Sequence, residues 1–197
     1  MMPSSKRPLL LYIHGFNSSP QSHKARVMKE YCAANRPDIT LVTPQLPCFP
    51  DEAANCLLTL IEKYQADYDI GLVGSSLGGY LSTWLNDKFG FKAVLINPAV
   101  KPYELLVDYL GEQTNPYTHV QYVLEPIHIQ QLKTLDVASI ANPKDFWLLQ
   151  QTGDEVLDYR QAVDRFAFSK QTVEQGGDHS FVDFERYPAQ IIEFLAL

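Results

Sequence analysis

Apolar residues along this chain form two alternating patterns: short continuous runs, and longer stretches with an apolar residue at every third or fourth position. The short runs have the length of buried strands. They are continuous rather than alternating, which is typical of parallel strands covered on both faces. Six runs are predicted as strands: 9–13, 39–42, 70–73, 93–96, 146–150 and, with a weaker pattern, 171–174.

The longer stretches have the spacing of amphipathic helices and lie between the predicted strands. They are 22–34, 50–64, 77–89, 159–168 and 181–195. This alternation predicts an α/β fold, a three-layer sandwich in which helices cover both faces of a mostly parallel sheet of about six strands. A length of 197 residues fits a single domain spanning 1–197.

One segment, at about 98–142, interrupts the alternation between the fourth and fifth strands. It is longer than a simple crossover requires and is rich in proline and tyrosine, with helical patterns at 103–110 and 127–135. We expect a helical lid inserted over the C-terminal edge of the sheet, where it would shape substrate access. The alternative is an elaborated crossover with no gating role.

The overall composition narrows the range of partners. Hydrophobic residues make up 46% of the chain and charged residues 20%, as in ordinary soluble proteins, and the formal net charge is −7. Nucleic acids and anionic membranes favour basic surfaces, so neither is an expected partner, and no membrane insertion is expected. A neutral small molecule in a pocket is compatible with this charge, and the oligomeric state stays open.

The cysteines and the start of the chain indicate a cytoplasmic protein. Cys32, Cys48 and Cys56 are few, odd in number and without metal-ligand spacing, which favours free thiols in a reducing compartment. The polar, basic residues 1–8 lead into an apolar run at 9–13 that is too short for a signal peptide or a membrane span.

The sequence Gly-Ser-Ser-Leu-Gly at 74–78 is the first candidate for chemistry. It stands between a predicted strand and a predicted helix, which is the layout of a nucleophile elbow with Ser76 as the nucleophile. The turn is so sharp that both flanking positions require glycine. Ser75 lacks those flanking glycines and Ser82 lies inside the helix, so neither is preferred.

A serine hydroxyl needs a base, and His179 is the preferred one of the five histidines. It follows a Gly-Gly pair between the last strand and the last helix, where a loop can carry it to the edge of the sheet at which Ser76 is expected. His14 is the rival, but it precedes the serine and ends a strand. We therefore expect His14 to support its loop through hydrogen bonds.

The base needs an acid, and Asp154 is preferred because it follows the glycine at the end of the fifth strand. Asp158 is the rival, with a more plausible role as the cap of the following helix. Asp178 adjoins the base in sequence and Glu155 is expected to be exposed. The order Ser76, Asp154, His179 is that of the α/β-hydrolase plan.

An acyl-transfer site also needs two backbone N–H groups for the oxyanion. The residue after the nucleophile, Leu77, supplies the first. The second is expected from the loop after the first strand, where Gly15 allows close approach and Phe16 is the predicted donor.

These motifs resemble the α/β-hydrolase superfamily over nearly the whole chain. The chain is similar, more narrowly, to the small bacterial YqiA-type esterases in five stretches: 12–20, 74–80, 96–100, 115–117 and 175–179. That resemblance implies a cytoplasmic carboxylic-ester or acyl-thioester hydrolase. It also implies a sheet without the first two strands of larger members, in agreement with six predicted strands.

The sequence therefore predicts a serine esterase or thioesterase that works through an acyl-enzyme and needs no metal and no cofactor. Two alternatives stay open. The same triad could catalyse acyl transfer, C–C bond cleavage or lipid hydrolysis, because fold and triad do not set the substrate. The chain could also be a catalytically silent α/β-hydrolase that serves as a binding or scaffold protein.

Overall fold

A computed structural model describes residues 6–197, and the first five residues of the polar start lie outside the described part. Six of its eight strands form one parallel sheet in the order β2-β1-β3-β4-β7-β8, and β5 and β6 form a separate antiparallel pair. The strands are β1 (Arg7–Ile13), β2 (Thr40–Val42), β3 (Tyr68–Ser75), β4 (Ala93–Ile96), β5 (Gly111–Thr114), β6 (Gln121–Leu124), β7 (Phe146–Gln151) and β8 (Lys170–Glu174). All six predicted strands are confirmed.

Within residues 6–197, seven α-helices connect and cover the strands. They are α1 (His23–Asn35), α2 (Pro50–Tyr64), α3 (Leu77–Phe89), α4 (Pro102–Leu105), α5 (Pro126–Thr134), α6 (Tyr159–Arg165) and α7 (Pro188–Leu195). The prediction of a helix over 181–195 is wrong in its first half, where a 3₁₀ turn at Phe184–Arg186 precedes α7. The reason is Pro188, which cannot continue a helix from the preceding turn but suits the first position of a new one.

Apolar side chains fill both sides of the sheet. Along β1, Leu9, Leu11 and Ile13 point into a core shared with α2, α3, α5 and α6. The intervening Leu10 and Tyr12 point into a second core shared with α1 and α7. The predicted three-layer α/β sandwich is therefore confirmed. No helix within residues 6–197 is long and apolar enough to cross a membrane.

The segment 98–142 contains a hairpin that the sequence pattern did not predict. Strands β5 and β6 pair with Gly111 opposite Leu124 and Thr114 opposite Gln121. Asn115 builds the turn between them, because its Oδ1 accepts hydrogen bonds from the N–H groups of Tyr117 and Thr118. The predicted helix at 103–110 is instead the short α4 followed by a 3₁₀ turn at Leu106–Tyr109.

Candidate active site

Ser76 stands on a sharp turn between β3 and α3, with φ 54° and ψ −120°. A β-carbon at Gly74 would overlap the carbonyl of Gly78, and one at Gly78 would overlap the carbonyl of Ile13. Both flanking glycines are therefore required sterically, as the motif predicts. The backbone of Ser76 is held on both sides, because its N–H donates to Ile96 O at 3.1 Å and its carbonyl accepts from Ala99 N at 3.1 Å.

Asp154 and His179 meet at the same edge of the sheet. Asp154 follows β7, and its carboxylate oxygens lie 2.8 and 2.9 Å from His179 Nδ1. The Asp154 side chain is fully buried, whereas 23% of the His179 side chain is exposed. The carboxylate also accepts from the N–H groups of Val156 and Leu157, each at 2.9 Å. An imidazole that donates from Nδ1 to this fixed acceptor keeps Nε2 as a free base.

The rival acids occupy other positions. Asp158 caps α6 through Arg160 N and binds the Arg160 guanidinium at 2.7 and 2.8 Å, which lowers the pKa of its carboxyl. Glu155 accepts from His179 N at 3.0 Å, and this bond lowers the pKa of the Glu155 carboxyl. Of the acids considered from sequence, only Asp154 has a hydrogen bond to the imidazole ring within residues 6–197.

Gly15 lies next to Ser76 and also lines a cavity that His179 lines. A β-carbon at Gly15 would lie 3.1 Å from Ser76 Cβ. Gly15 and His179 line one cavity of about 250 Å³. Within residues 6–197, no hydrogen bond joins Ser76 Oγ to His179 Nε2. Catalytic hydrogen bonds of this type are often long in an unliganded enzyme and shorten once substrate is bound.

The two predicted oxyanion donors are unengaged. Within the described chain, the N–H groups of Phe16 and Leu77 donate to no backbone carbonyl outside regular elements. Leu77 is the first residue of α3, so its N–H also lies at the positive end of the helix dipole. Both N–H groups can therefore donate hydrogen bonds to an anionic oxygen without breaking an existing bond.

His14 supports, as predicted, the loop at 14–20 that follows β1 and carries the predicted donor Phe16, here named the oxyanion loop. Its ring is buried, with Nδ1 2.9 Å from Gly15 O and Nε2 3.1 Å from Leu46 N. Because Leu46 N–H can only donate, Nε2 accepts, and Nδ1 carries the proton that goes to Gly15. Burial lowers the pKa of this imidazole, which keeps it neutral and maintains both bonds.

An apolar cavity of about 40 Å³ is lined in part by residues 14–18 of the oxyanion loop. Its walls include Phe16 and Leu77 next to the two donor amides, and Phe49 from the start of α2. The segment 98–142 closes it with five side chains: Leu106, Asn115, Tyr122, Leu124 and Leu132. This volume accommodates about three water-sized groups.

Three hydrogen bonds join that segment to the oxyanion loop, and one of them runs from Asn17 Nδ2 to Gln113 Oε1 at 3.3 Å. Tyr122 Oη donates to Asn17 Oδ1 at 2.7 Å, and Asn115 Nδ2 donates to Ser18 O at 3.0 Å. The ring of Tyr109 packs edge-on against Phe16 with centroids 5.8 Å apart. The segment therefore contacts the loop that carries Phe16, although its role as a lid stays a prediction.

Comparison with known proteins places the chain in a family. The sequence model of the uncharacterised protein family UPF0227 matches residues 9–196. The chain belongs to UPF0227. This agrees with the resemblance to YqiA-type proteins and to the α/β-hydrolase superfamily.

Solved structures similar to this UPF0227 chain share its fold at low sequence identity. Est1E from Butyrivibrio proteoclasticus, solved with ferulic acid bound, has a TM-score of 0.74 at 15% identity, over 98% of this chain and 90% of its own. A putative hydrolase from Agrobacterium vitis S4 has a TM-score of 0.74 at 18% identity, over 96% and 88%. Mouse alpha/beta hydrolase domain-containing protein 10 has a TM-score of 0.69 at 19% identity, over 98% and 91%.

Sequence reasoning missed several residues that this UPF0227 chain brings to the site. Tyr122 and Leu46 belong to this group, and so do Asn97 and Gln151, which follow or end strands at the catalytic edge. A polar residue at the end of a buried parallel strand was the available signal for the last two. Within residues 6–197, no group of three or more metal-binding side chains is arranged to hold a metal ion.

Proposed function

We propose that this chain is a serine esterase that hydrolyses carboxylic esters, and thioesters of the same acyl groups, through an acyl-enzyme on Ser76. The observation that carries the proposal is the hydrogen-bonded pair of the buried Asp154 carboxylate and His179, with Nδ1 2.8 Å from the carboxylate. A buried carboxylate that orients an imidazole next to a strained serine is an arrangement suited to nucleophilic catalysis.

In the proposed first step, Ser76 Oγ attacks the carbonyl carbon while its proton passes to His179 Nε2. The carbonyl oxygen becomes an oxyanion, which accepts hydrogen bonds from the Phe16 and Leu77 amides. The intermediate then collapses: the bond to the alcohol or thiol breaks, and His179 returns the proton to the leaving oxygen or sulfur. This leaves the acyl group on Ser76.

In the proposed second step, water replaces the leaving group. His179 removes one proton from the water, whose oxygen attacks the acyl carbon. The oxyanion forms again at the same two amides, and its collapse returns the proton to Ser76 Oγ and releases the acid. Asp154 stabilises the positive imidazole in both steps, and no step uses a metal or a cofactor.

The apolar cavity beside Phe16 and Leu77 is the proposed acyl site. Its volume of about 40 Å³ fits a short acyl chain. A longer chain requires displacement of the 98–142 side chains that close the cavity, such as Leu106 and Leu132. We therefore expect acetyl and butyryl esters to be better substrates than long-chain esters with the same leaving group.

The test compares wild type with Ser76→Ala on a panel of acetyl, butyryl and octanoyl esters and thioesters. We expect ester turnover and fluorophosphonate labelling in wild type, and loss of both in Ser76→Ala with a nearly unchanged unfolding temperature. Ser82→Ala is the matched control, because Ser82 Oγ donates to Gly78 O inside α3. A folded wild type that neither reacts with the probe nor turns over any ester would favour a binding or scaffold role.

A further inference from the structure

Asn97 occupies a position between the candidate nucleophile and the candidate base. It directly follows β4 at the C-terminal edge of the sheet and is fully buried. Its φ of 39° lies in the left-handed region, which asparagine tolerates better than most residues. Neither the proposed acyl chemistry nor the packing of the core explains a polar, conformationally restrained residue at this point.

The side-chain amide of Asn97 uses its full hydrogen-bonding capacity. Nδ2 donates to the carbonyls of Asp178 at 2.9 Å and of His179 at 3.2 Å. Oδ1 accepts from Gln150 Nε2 at 3.0 Å and from Gln151 N at 2.9 Å. The orientation of the amide is therefore determined, because the opposite one would place its oxygen against two carbonyls.

Ile96, which precedes Asn97, and Ala99, two residues after it, are hydrogen-bonded to the backbone of the candidate nucleophile, Ser76. Ile96 O accepts from Ser76 N, and Ala99 N donates to Ser76 O, both at 3.1 Å. The segment 96–99, at the end of β4, therefore contacts Ser76 through its backbone and the His179 loop through the side chain of Asn97.

The loop that carries His179 has little regular structure of its own. Gly176 and Gly177 both have positive φ, and no helix or strand holds the loop before the 3₁₀ turn at Phe184–Arg186. Gln151 provides a second support, because its Oε1 accepts from Val182 N at 2.9 Å and from Asp178 N at 3.2 Å. Two buried amide side chains thus hold the loop at 178–182 to the ends of β4 and β7.

We propose that Asn97 is a positioning residue, which fixes the backbone at Asp178 and His179 so that the imidazole stays within reach of Ser76 Oγ. The inference rests on the proposed esterase function. It predicts that Asn97 acts on the rate only through His179.

Two substitutions separate the side chain from the backbone. Asn97→Gly keeps the left-handed conformation without strain and removes the amide. Asn97→Asp keeps the size of the side chain and replaces the donor with an oxygen that faces two carbonyls. Asn86→Ala is the matched control, since Asn86 is also buried and donates to one backbone carbonyl, Phe91 O at 2.8 Å, near the far end of α3.

The experiment measures kcat and KM for a butyryl ester in wild-type and His179→Ala backgrounds. Misplacement of a catalytic group by about 1 Å costs about 100-fold in rate, so we expect Asn97→Gly to lower kcat by about that factor with KM unchanged. In the His179→Ala background, the same substitution should change the residual kcat by less than about twofold, because effects of residues that act as a unit are not additive. Asn86→Ala should leave kcat unchanged in both backgrounds.

The outcomes discriminate between positioning and general support of the fold. An equal loss of kcat in both backgrounds, or full activity of Asn97→Gly, would overturn the proposal. If Asn97→Gly does not fold, Asn97→Asp is measured in the same two backgrounds and judged by the same criteria.

A second readout does not depend on turnover. The proton between His179 Nδ1 and Asp154 gives a far-downfield NMR resonance when the pair is held together. We expect this resonance in wild type and Asn86→Ala, and its loss in Asn97→Gly. If wild type shows neither turnover nor probe labelling, the esterase function fails while this resonance still tests Asn97: its persistence in Asn97→Gly would refute the positioning role.

Discussion

The backbone at Ser76 carries strain that a single substitution can measure. Its φ of 54° and ψ of −120° lie in a region that residues with a β-carbon rarely adopt. Such a conformation costs about 1–3 kcal/mol. Ser76→Gly removes this cost but adds about 0.5–1 kcal/mol of backbone entropy lost on folding. The net expectation is that Ser76→Gly is more stable than wild type by about 1 kcal/mol.

Ser76→Ala is the matched variant, because it removes the hydroxyl and keeps the strain. Both variants should be inactive, so a difference in stability between them reports the backbone alone. For a chain of this length, about 1 kcal/mol corresponds to about 2–4 °C in Tm. We expect Ser76→Gly to unfold about 2–4 °C above Ser76→Ala in calorimetry, with the same order of midpoints in urea.

The opposite order would refute the argument. If Ser76→Gly unfolds at or below the temperature of Ser76→Ala, the turn is not strained in the folded protein. The flanking contacts, rather than the conformation of Ser76, would then set the geometry of the elbow. Confirmation would mean that the fold holds its nucleophile in place at a cost in stability, as active sites often do.

Three further substitutions test the charges around the site. Asp154→Asn should reduce kcat by about 10⁴-fold, as expected for an acid that sets the imidazole tautomer, whereas Asp158→Asn should mainly lower Tm; the reverse order would reassign the acid. Burial lowers the pKa of Lys24 from 10.5 to about 8. Below pH 8 the cost of keeping this buried amine charged lowers the free energy of unfolding by about 3 kcal/mol. Between pH 8 and 10.5 the unfolded chain binds more protons, so wild-type stability rises with pH. Lys24→Met should remove that rise and, despite losing the bond to Ser180 O, be more stable than wild type at pH 7 in urea unfolding; an unchanged pH profile would contradict this assignment.

The central sheet could be predicted because each strand is buried on both faces. A parallel strand such as β4, Ala93–Ile96, is apolar at every position, so its bounds follow directly from its composition. The hairpin could not be found in this way. Strand β5 has the sequence Gly-Glu-Gln-Thr, without an apolar run or a regular alternation, and it forms through pairing with β6 and contacts to the oxyanion loop.

The residues of the candidate site differ in the same way: some were predictable from local sequence patterns and others were not. Ser76, Asp154 and His179 were predicted from local motifs and their order, although their catalytic roles stay predictions. Asn97 was not, because its role depends on carbonyls 81 and 82 residues further along the chain. Long-range contacts of one side chain leave no periodic pattern in a single sequence.

The topology of the sheet explains how these parts meet and why a long segment between two neighbouring strands is tolerated. Strands β1, β3, β4, β7 and β8 are parallel and lead into Phe16, Ser76, Asn97, Asp154 and His179, respectively. Neighbouring strands lie about 4.8 Å apart, so parts carried by adjacent strands are close whatever the length of chain between them. Strands β4 and β7 pair directly, with Ala93 opposite Phe146, although the whole 98–142 segment separates them in sequence. Changes in that segment should therefore alter substrate access and acyl size while leaving the spacing of Ser76, Asp154 and His179 intact.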